Sequence, residues 1–310
     1  MRDTFILCVS YKVYTVEYEE VTPLLTRWNR RAHTKYNLAS HFITFESGDP
    51  ELLKFRAEVI AKLPKGFWCD TRIRRTYSKE EAKQIPACVF GVAGVGIDGS
   101  STKGDFYRRQ RCASCGYTSR KQVHPLSLDL SRARGKDFVT TYMDWEDIVS
   151  ERAKRFLERY APGCCVFVRV KDAGAGRVGP YYSMQVTPVV RLAIPPMRVR
   201  RKRRCQMCGE SVIYPRGETL LQRLPRRPLS RSDVAFGDAT MPPSPHLVMT
   251  TELHEKLKSS GLLGWQWNPA WVASQMTRNQ IKEHVPPFDV TEFVIPRTPC
   301  PKRVWQDLLD

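Results

Sequence analysis

The sequence contains two copies of a short cysteine motif that is suited to binding a metal ion. The first is Cys112-Ala113-Ser114-Cys115-Gly116, and the second is Cys205-Gln206-Met207-Cys208-Gly209. In a Cys-x-x-Cys turn two thiolates converge on one point, and the following glycine lets the backbone turn tightly. Each motif supplies half of a tetrahedral site, so the two together complete the ligand set of a structural zinc ion. We therefore predict one Zn²⁺, with the ligands Cys112, Cys115, Cys205 and Cys208.

Two other interpretations of these cysteines stay open. The four residues could be ordinary core cysteines or form disulfides, or His124 and His246, which each follow one motif, could complete two separate mixed sites. The chain has ten cysteines, and the residues after Met1 do not form a signal peptide, which favours thiols and metal ligands over disulfides. No apolar run is long enough to span a membrane. We expect a cytoplasmic protein without membrane contact.

The charge is strongly positive, with a net value of +18. Eleven Lys or Arg residues and only two acids lie between Arg198 and Arg231, and eight against one lie between Arg108 and Lys136. Because a shared zinc would bring the two regions together, we expect an anionic partner there, although a solvated surface that only aids solubility is the alternative. The candidate anion-binding residues are Arg108, Arg109, Arg111, Arg198, Arg200, Arg201, Lys202, Arg203 and Arg204.

The regions that follow the two motifs resemble each other. Each has an apolar strand, an N-cap at Ser150 or Thr250, an amphipathic helix, a glycine predicted to stop that helix (Gly163 or Gly264), and a second strand. This pattern predicts an internal duplication with repeats at about 108–172 and 200–272, related by a pseudo-twofold axis and joined by the metal. Chance similarity between two capped helices is the alternative.

The remaining patterns predict an α+β fold in three parts. An N-terminal α+β module covers 1–107, the duplicated zinc module covers 108–272, and a Pro-rich extension covers 273–310. The predicted strands outside the repeats are 4–9, 41–45, 67–73, 88–92 and 290–295, and the predicted helices are 51–63, a short one that begins at 78, and 304–309.

These features resemble the bacterial double-CXXCG motif proteins. The resemblance rests on the paired Cys-x-x-Cys-Gly motifs, on the segment Gln122-Val123-His124-Pro125-Leu126-Ser127-Leu128-Asp129, and on the helix starts at Ser150 and Thr250. It covers roughly 112–271. Some members of that family are described as immunity proteins that protect a bacterium from a polymorphic toxin. The resemblance therefore implies a protein that binds a cognate protein partner rather than an enzyme.

No catalytic signature is present in the sequence. H-E-x-x-H, G-x-S-x-G and Walker A motifs are all absent, and His254, on a predicted helix, lacks a second histidine one turn away and is expected on the surface. The G-x-G-x-x-G spacing at 94–99 and again at 174–179 is not followed by a helix, so neither stretch is expected to bind a dinucleotide. We predict that the protein is not an enzyme.

Two functional hypotheses follow. In the first, the protein is an immunity-like partner of a toxin, with Trp265, Trp267 and Trp271 as core or interface anchors. In the second, the basic surface binds nucleic acid without sequence preference, and Tyr107, Tyr117 or Tyr214 stacks on bases.

Overall fold

A computed structural model describes residues 2–11, 35–39, 42–47, 67–92, 96–97, 107–114, 118–122, 124, 126–141, 146–173, 180–193, 206–207, 218–236, 244–284 and 289–294. The fold is mixed α+β and rich in strands, with few helices, which confirms the predicted class at this level. The chain divides into two compact units, one of 1–84 with 282–296 and one of 85–281 with 297–310. Among the described residues, no helix has the length and apolar character that crossing a membrane requires.

The first unit contains a five-stranded sheet in the order β2, β3, β1, β4, β20. Its strands are β1 (Arg2–Tyr11), β2 (Lys35–Ala39), β3 (Phe42–Ser47), β4 (Phe67–Thr76) and β20 (Asp289–Val294). β1 pairs antiparallel with β3 and β4, whereas β20 pairs parallel with β4. Helix α1 (Lys79–Lys83) begins with a capping box between Ser78 and Glu81.

Most elements predicted for this part of the chain are confirmed. Strands lie at each of the predicted positions 4–9, 41–45, 67–73 and 290–295, and a short helix follows Ser78. The predicted helices at 51–63 and 304–309 lie outside the described residues.

The second unit contains most of the strands. They are β5 (Ala87–Val92), β6 (Gly96–Ile97), β7 (Tyr107–Arg111), β8 (Thr118–Gln122), β9 (Ser127–Leu128), β10 (Phe138–Thr141), β11 (Asp147–Ser150), β12 (Cys165–Arg169), β13 (Lys171–Asp172), β14 (Tyr181–Val186), β15 (Val189–Val190), β16 (Thr219–Leu221), β17 (Leu229–Phe236), β18 (Ser244–Thr250) and β19 (Trp265–Val272). The helices are α2 (Glu151–Tyr160) and α3 (Thr251–Ser259), and α4 (Arg278–His284) follows them in the chain.

Two sheets of this unit share one strand order. The first runs β12, β14, β11, β10, β6 and the second β19, β5, β18, β17, β15, with β16 added beyond β19. The neighbours correspond in direction and register as well. Each pair of the first sheet has a counterpart in the second. In this order, Phe138–Val149, Ser150–Tyr181, Cys165–Val186 and Thr141–Ile97 of the first sheet correspond to Leu229–Met249, Thr250–Ala87, Trp265–Val92 and Ser232–Val190 of the second.

The two sheets exchange one strand each. β5 precedes the first cysteine motif yet lies in the sheet that follows the second motif, whereas β14 precedes the second motif and lies in the sheet that follows the first. We call the parts of the unit around the first and the second sheet its first and second halves. Each half gives one strand to the sheet of the other, as the two subunits of a domain-swapped dimer do.

This exchange differs from the predicted domain boundary. β5 was expected in the N-terminal module that ends at 107, but it pairs with β18 and β19 in the second unit. The repeating pattern therefore begins upstream of each motif, at β5 and at β14. The segments Ala87–Val92 and Tyr181–Val186 share only their final valine and a preceding proline, so comparison of the sequence with itself did not align them.

The second sheet closes into a small barrel. Leu192, just after β15, bridges Leu221 of β16, the strand at the opposite end of the sheet. Gln222 N donates to Arg191 O at 3.0 Å and Ala193 N donates to Leu220 O at 2.9 Å, which completes the ring. The interior is filled by Ala87, Val89, Val190, Leu192, Leu221, Val248, Ala270 and Val272.

The first sheet encloses a corresponding core. This cluster consists of Leu126, Leu128, Leu130, Ala133, Val139, Ile148, Val170 and Tyr181. The Tyr181 hydroxyl lies 2.7 Å from the carbonyl oxygens of both Ala133 and Lys136, so its polar end is satisfied inside the cluster.

The predicted helix caps are confirmed, but one predicted helix stop is wrong. Ser150 Oγ accepts from Ala153 N at 3.1 Å, and Thr250 Oγ1 accepts from Leu253 N at 3.3 Å. Helix α3 ends at Ser259, and the left-handed residue that follows it is Gly261, with φ 69°. Gly264, the predicted stop, also has a positive φ of 90°, but it lies against the backbone of Phe138.

Candidate functional site

The first cysteine motif lies at the tip of a hairpin. β7 and β8 pair antiparallel from Tyr107–Gln122 to Arg111–Thr118, and Cys112 directly follows the last paired residue. Cys112 is half-buried, and Ala113 and Ser114 form an exposed turn. A Cys-x-x-Cys turn carried by a short hairpin is typical of a zinc knuckle. Cys115 lies outside the described residues.

The second motif is described only at its two central residues. Gln206 and Met207 form an exposed turn, and Met207 is 71 % exposed. They correspond in the motif to Ala113 and Ser114, which adopt a turn as well. Cys205 and Cys208 lie outside the described residues.

Counted along the sequence from the neighbouring strands, the two motifs lie at equivalent points of the two halves. Ile97 and Val190 match each other in the short parallel strands before the motifs, and Leu128 and Leu221 match in the strands after them. The number of residues from Ile97 to Cys112 equals that from Val190 to Cys205, and the same holds from each cysteine to the matching leucine. The two cysteine motifs therefore lie at equivalent places in the sequence of the two halves.

Three other described cysteines are poor candidates for metal ligands. Burial raises the pKa of the Cys165 thiol to about 12 and also raises the pKa of Cys88. Cys164 is fully buried, with its Sγ 3.8 Å from Pro162 O. The thiolate is the metal-binding form, and a raised pKa disfavours it at Cys88 and Cys165. Cys88 and Cys164 are small apolar groups in the core, and Cys165 is half-buried.

The four-cysteine site stays a prediction, because three of its ligands lie outside the described residues. In the part of the chain that the structure describes, no group of three or more His, Cys, Asp or Glu residues could hold a metal ion.

Of the two histidines that could serve separate sites, His246 is part of the barrel packing. Its ring stacks on Phe236 with centroids 4.0 Å apart, and its Nδ1 lies 3.3 Å from Thr219 Oγ1. Burial lowers the pKa of His246 to about 4, so the ring is neutral at pH 7. His124 is exposed in the segment after the hairpin.

The expectation that His254 lies on the surface is wrong. The side chain is only 3 % exposed and packs between Trp265 and Trp267, with ring centroids 6.0 and 4.2 Å from its own. Burial lowers the pKa of His254 to about 4, although Glu255 acts in the opposite direction. Its Nε2 is buried and has no hydrogen-bond partner in the described residues. Trp265 and Trp267 thus contribute to packing around α3.

A buried carboxylate that the sequence did not indicate joins the two halves. Asp137, 6 % exposed, accepts from Ser150 Oγ at 2.7 Å, from Arg152 Nη2 at 2.6 Å and from Leu263 N at 2.8 Å. Arg152 Nη2 also donates to Gly261 O at 2.9 Å. The network connects the start of α2 in the first half to the loop after α3 in the second. Nothing in the spacing of an aspartate between two short strands predicts this role.

The basic residues next to the first motif lie on β7. The register places Arg109 opposite Arg120 and Arg108 opposite Lys121. Cationic residue types therefore stand at directly opposite positions of the ladder, next to the first motif. Arg111 is the last paired residue before Cys112.

The other predicted basic residues belong to a part of the chain that the structure does not describe. Arg198, Arg200, Arg201, Lys202, Arg203 and Arg204 lie outside the described residues, as do Tyr117 and Tyr214. Tyr107 is the first residue of β7, opposite Gln122.

Comparison with known proteins gives no match. No family model, no curated protein and no solved structure matches the chain. The resemblance to double-CXXCG proteins accordingly stays an interpretation of the motifs.

Proposed function

We propose that the protein is a non-enzymatic binding protein, built from two duplicated halves joined by one structural zinc, that acts as an immunity-like partner of a cognate bacterial toxin. The observation that supports it best is the equivalence of the two cysteine motifs within halves that exchange strands reciprocally. A duplication that keeps both motifs in the same position retains two matching half-sites for one closed metal site.

In this proposal the zinc has a structural role. Cys112, Cys115, Cys205 and Cys208 supply four thiolates, and a closed site of this kind contributes on the order of 10 kcal/mol to folding. The hairpin of β7 and β8 and the turn at 206–207 are then held to one point. A binding surface on such a scaffold is preorganised, which reduces the entropy lost when a partner binds.

The direct test is protection from a toxin. If a neighbouring gene encodes the cognate toxin, its expression alone should stop growth, co-expression of this chain should restore growth, and the purified proteins should form a complex. A Cys205→Ser variant should lose protection, while a Cys165→Ser variant, which alters a packing cysteine, should retain most of it. Absence of any toxic neighbour whose product binds the chain would contradict the immunity-like function.

Nucleic-acid binding is a second candidate, supported by the opposed cations of the hairpin. The register pairs Arg108 with Lys121 and Arg109 with Arg120, so cationic residue types occupy opposite positions beside the first motif, where like charges repel unless an anion screens them. Each phosphate that such a surface neutralises adds roughly −0.7 to −0.9 to the slope of log affinity against log salt. A protein interface should be far less sensitive to salt.

The two candidates therefore separate near physiological salt. Submicromolar binding of RNA or DNA under that condition, abolished in a variant with Arg200, Arg201, Arg203 and Arg204 changed to glutamine, would favour the nucleic-acid function. Binding that appears only in dilute salt is what a chain of net charge +18 gives with any polyanion.

A further inference from the structure

Five arginines are grouped on the outer surface of the closed barrel. We call this group the arginine edge; it consists of Arg191, Arg223, Arg226, Arg227 and Arg231. All five side chains are exposed. None forms a salt bridge to a described residue.

The barrel closure brings these arginines together. The segment after β15 lies between β16 and β17, because Gln222 N donates to Arg191 O at 3.0 Å on one side and Val189 pairs with Arg231 on the other. Arg223 follows Gln222 directly, and the short loop that ends at Pro228 carries Arg226 and Arg227. The cluster therefore comes from two segments that are distant in the sequence.

Side chains alternate between the inside and the outside of the barrel along each strand, and this places the arginine edge on the outside. Val190, Leu192 and Ser232 are buried in the barrel, whereas Arg191 and Arg231 are exposed. Successive residues of a strand point to opposite faces, so the two arginines lie on the outside.

The backbone of the loop that carries Arg226 and Arg227 is held by packing and by a hydrogen bond. Pro225 is buried in the loop, and Pro228 O accepts from Thr250 N at 2.9 Å. The nearby acid Asp233 accepts from Leu192 N at 3.0 Å, and Glu218 is buried, so neither is positioned to neutralise the whole cluster. The positive charge is thus presented by rigid structure.

Aliphatic side chains lie among the arginines. Val189 is 53 % exposed and Leu224 is 45 % exposed. Arginine combined with exposed apolar side chains is typical of protein interfaces, in which arginine is enriched and the centre is apolar. A surface for single-stranded nucleic acid would instead offer aromatic rings for stacking, and none lies among these seven residues.

We propose that the arginine edge is the docking surface for an acidic, leucine-containing segment of a protein partner. This inference rests on the proposed function, whose partner it describes. Arginine guanidinium groups bind carboxylates in a bidentate manner, and Leu224 and Val189 supply the apolar contact between them.

The test uses the full chain, a synthetic glutamate-rich peptide that contains leucines, and a single-stranded RNA of similar length, all near physiological ionic strength. The edge variant changes Arg191, Arg223, Arg226, Arg227 and Arg231 to glutamine. The matched control changes five exposed cations elsewhere, Arg134, Arg159, Arg169, Lys171 and Arg278, to glutamine, so both variants lose the same charge.

We expect the edge variant to lose at least about tenfold in peptide affinity, because several carboxylate contacts are lost at once, while the control loses less than about threefold. Leu224→Ser should weaken peptide binding and leave RNA binding unchanged. Unfolding midpoints of all variants should stay close to that of the wild type, since the altered side chains are exposed.

Three results would overturn the proposal. They are equal losses in the edge and control variants, absence of peptide binding by the wild type, and RNA binding that is tighter than peptide binding and abolished in the edge variant. The last result would assign the surface to nucleic acid. Because the test needs no toxin, peptide binding at the edge in a chain that protects against no toxin would contradict only the immunity-like function.

Discussion

At the scale of single residues, Gly264 is a point of close contact between the two halves. A Cβ at this position would overlap the carbonyl oxygen of Phe138, and φ is 90°. Gly264 belongs to the second half, and Phe138 starts the central ladder of the first. Only a glycine permits both this backbone conformation and this contact.

We expect Gly264→Ala to destabilise the protein by about 3 kcal/mol or more, because it adds a backbone clash to the strain of a positive φ. Gly261→Ala is the matched control: φ is 69° there, but nothing lies within 4 Å of the added Cβ. It should cost about 1–2 kcal/mol. Denaturant unfolding measures both, and equal losses would show that the contact with Phe138 is not a constraint.

Two histidines, the buried His254 and the half-buried His246, make stability depend on pH. The pKa values of His246 and His254 are lowered from 6.5 to about 4. The unfolded chain therefore binds protons that the folded chain does not as pH falls from about 6.5 to about 4. Stability is lost over that window, by about 3 kcal/mol for each residue.

His254→Phe tests this at a site where Nε2 has no partner in the described part of the chain and both neighbours are aromatic. We expect the variant to lose about 3 kcal/mol less than the wild type between pH 6.5 and pH 4, since one group no longer titrates. Other groups that titrate in this window, including the thiolates of the proposed zinc site, affect both proteins alike, so the difference isolates the histidine. Parallel stability curves for the two proteins would contradict the assignment.

At the scale of elements, the two helices have equivalent caps with different partners. Among the described residues, Thr250 Oγ1 makes one hydrogen bond, which it accepts from Leu253 N. Ser150 Oγ accepts from Ala153 N and also donates to Asp137 at 2.7 Å. Asp137 also contacts Arg152 and the loop of the other half. The cap of α2 is thus part of the contact between halves, and the cap of α3 is local.

Thr250→Ala should cost about 1 kcal/mol, the usual value for a lost N-cap. Ser150→Ala should cost about 2 kcal/mol, because a buried carboxylate loses a donor as well. Thermal or denaturant unfolding of the two variants compares them directly. A smaller loss for Ser150→Ala than for Thr250→Ala would argue against the Asp137 network.

Much of the element content could be predicted, because local signals specify it. The caps at Ser150 and Thr250 and the strands after the helices follow from N-cap chemistry and apolar periodicity. The exchange of β5 and β14 could not be predicted, because strand pairing over long sequence distances leaves no local pattern. His254 was misplaced for a similar reason, since its burial depends on Trp265 and Trp267 of a later strand.

Of the candidate functional residues, too, some could be predicted from the sequence and others could not. Spacing alone predicts the four cysteine ligands, and the structure adds that Cys112 directly follows a hairpin strand. The arginine edge could not be predicted from the sequence, because Arg191 and Arg231 become neighbours only through the pairing of β15 with β17. The number of basic residues between Arg198 and Arg231 indicated a basic region, but it did not indicate which of them share a surface.

At the scale of the whole molecule, we propose that the two halves are joined in two ways, by exchanged strands and by one shared zinc. Reciprocal strand exchange already ties the halves of the second unit to each other. One zinc shared between the motifs would join them a second time, at the tip of the β7–β8 hairpin. Loss of either motif should then release the metal completely, because half a site binds zinc far more weakly than the full tetrahedral set.

The most direct measurement is the zinc content of the purified, folded chain and of its Cys205→Ser variant. One zinc per wild-type chain is expected, together with almost none in the variant and a sharply lower melting temperature. Cys165→Ser serves as the control and should keep the full metal content. Two zinc ions per wild-type chain, or a Cys205→Ser variant that keeps its zinc on the first motif, would contradict the shared site.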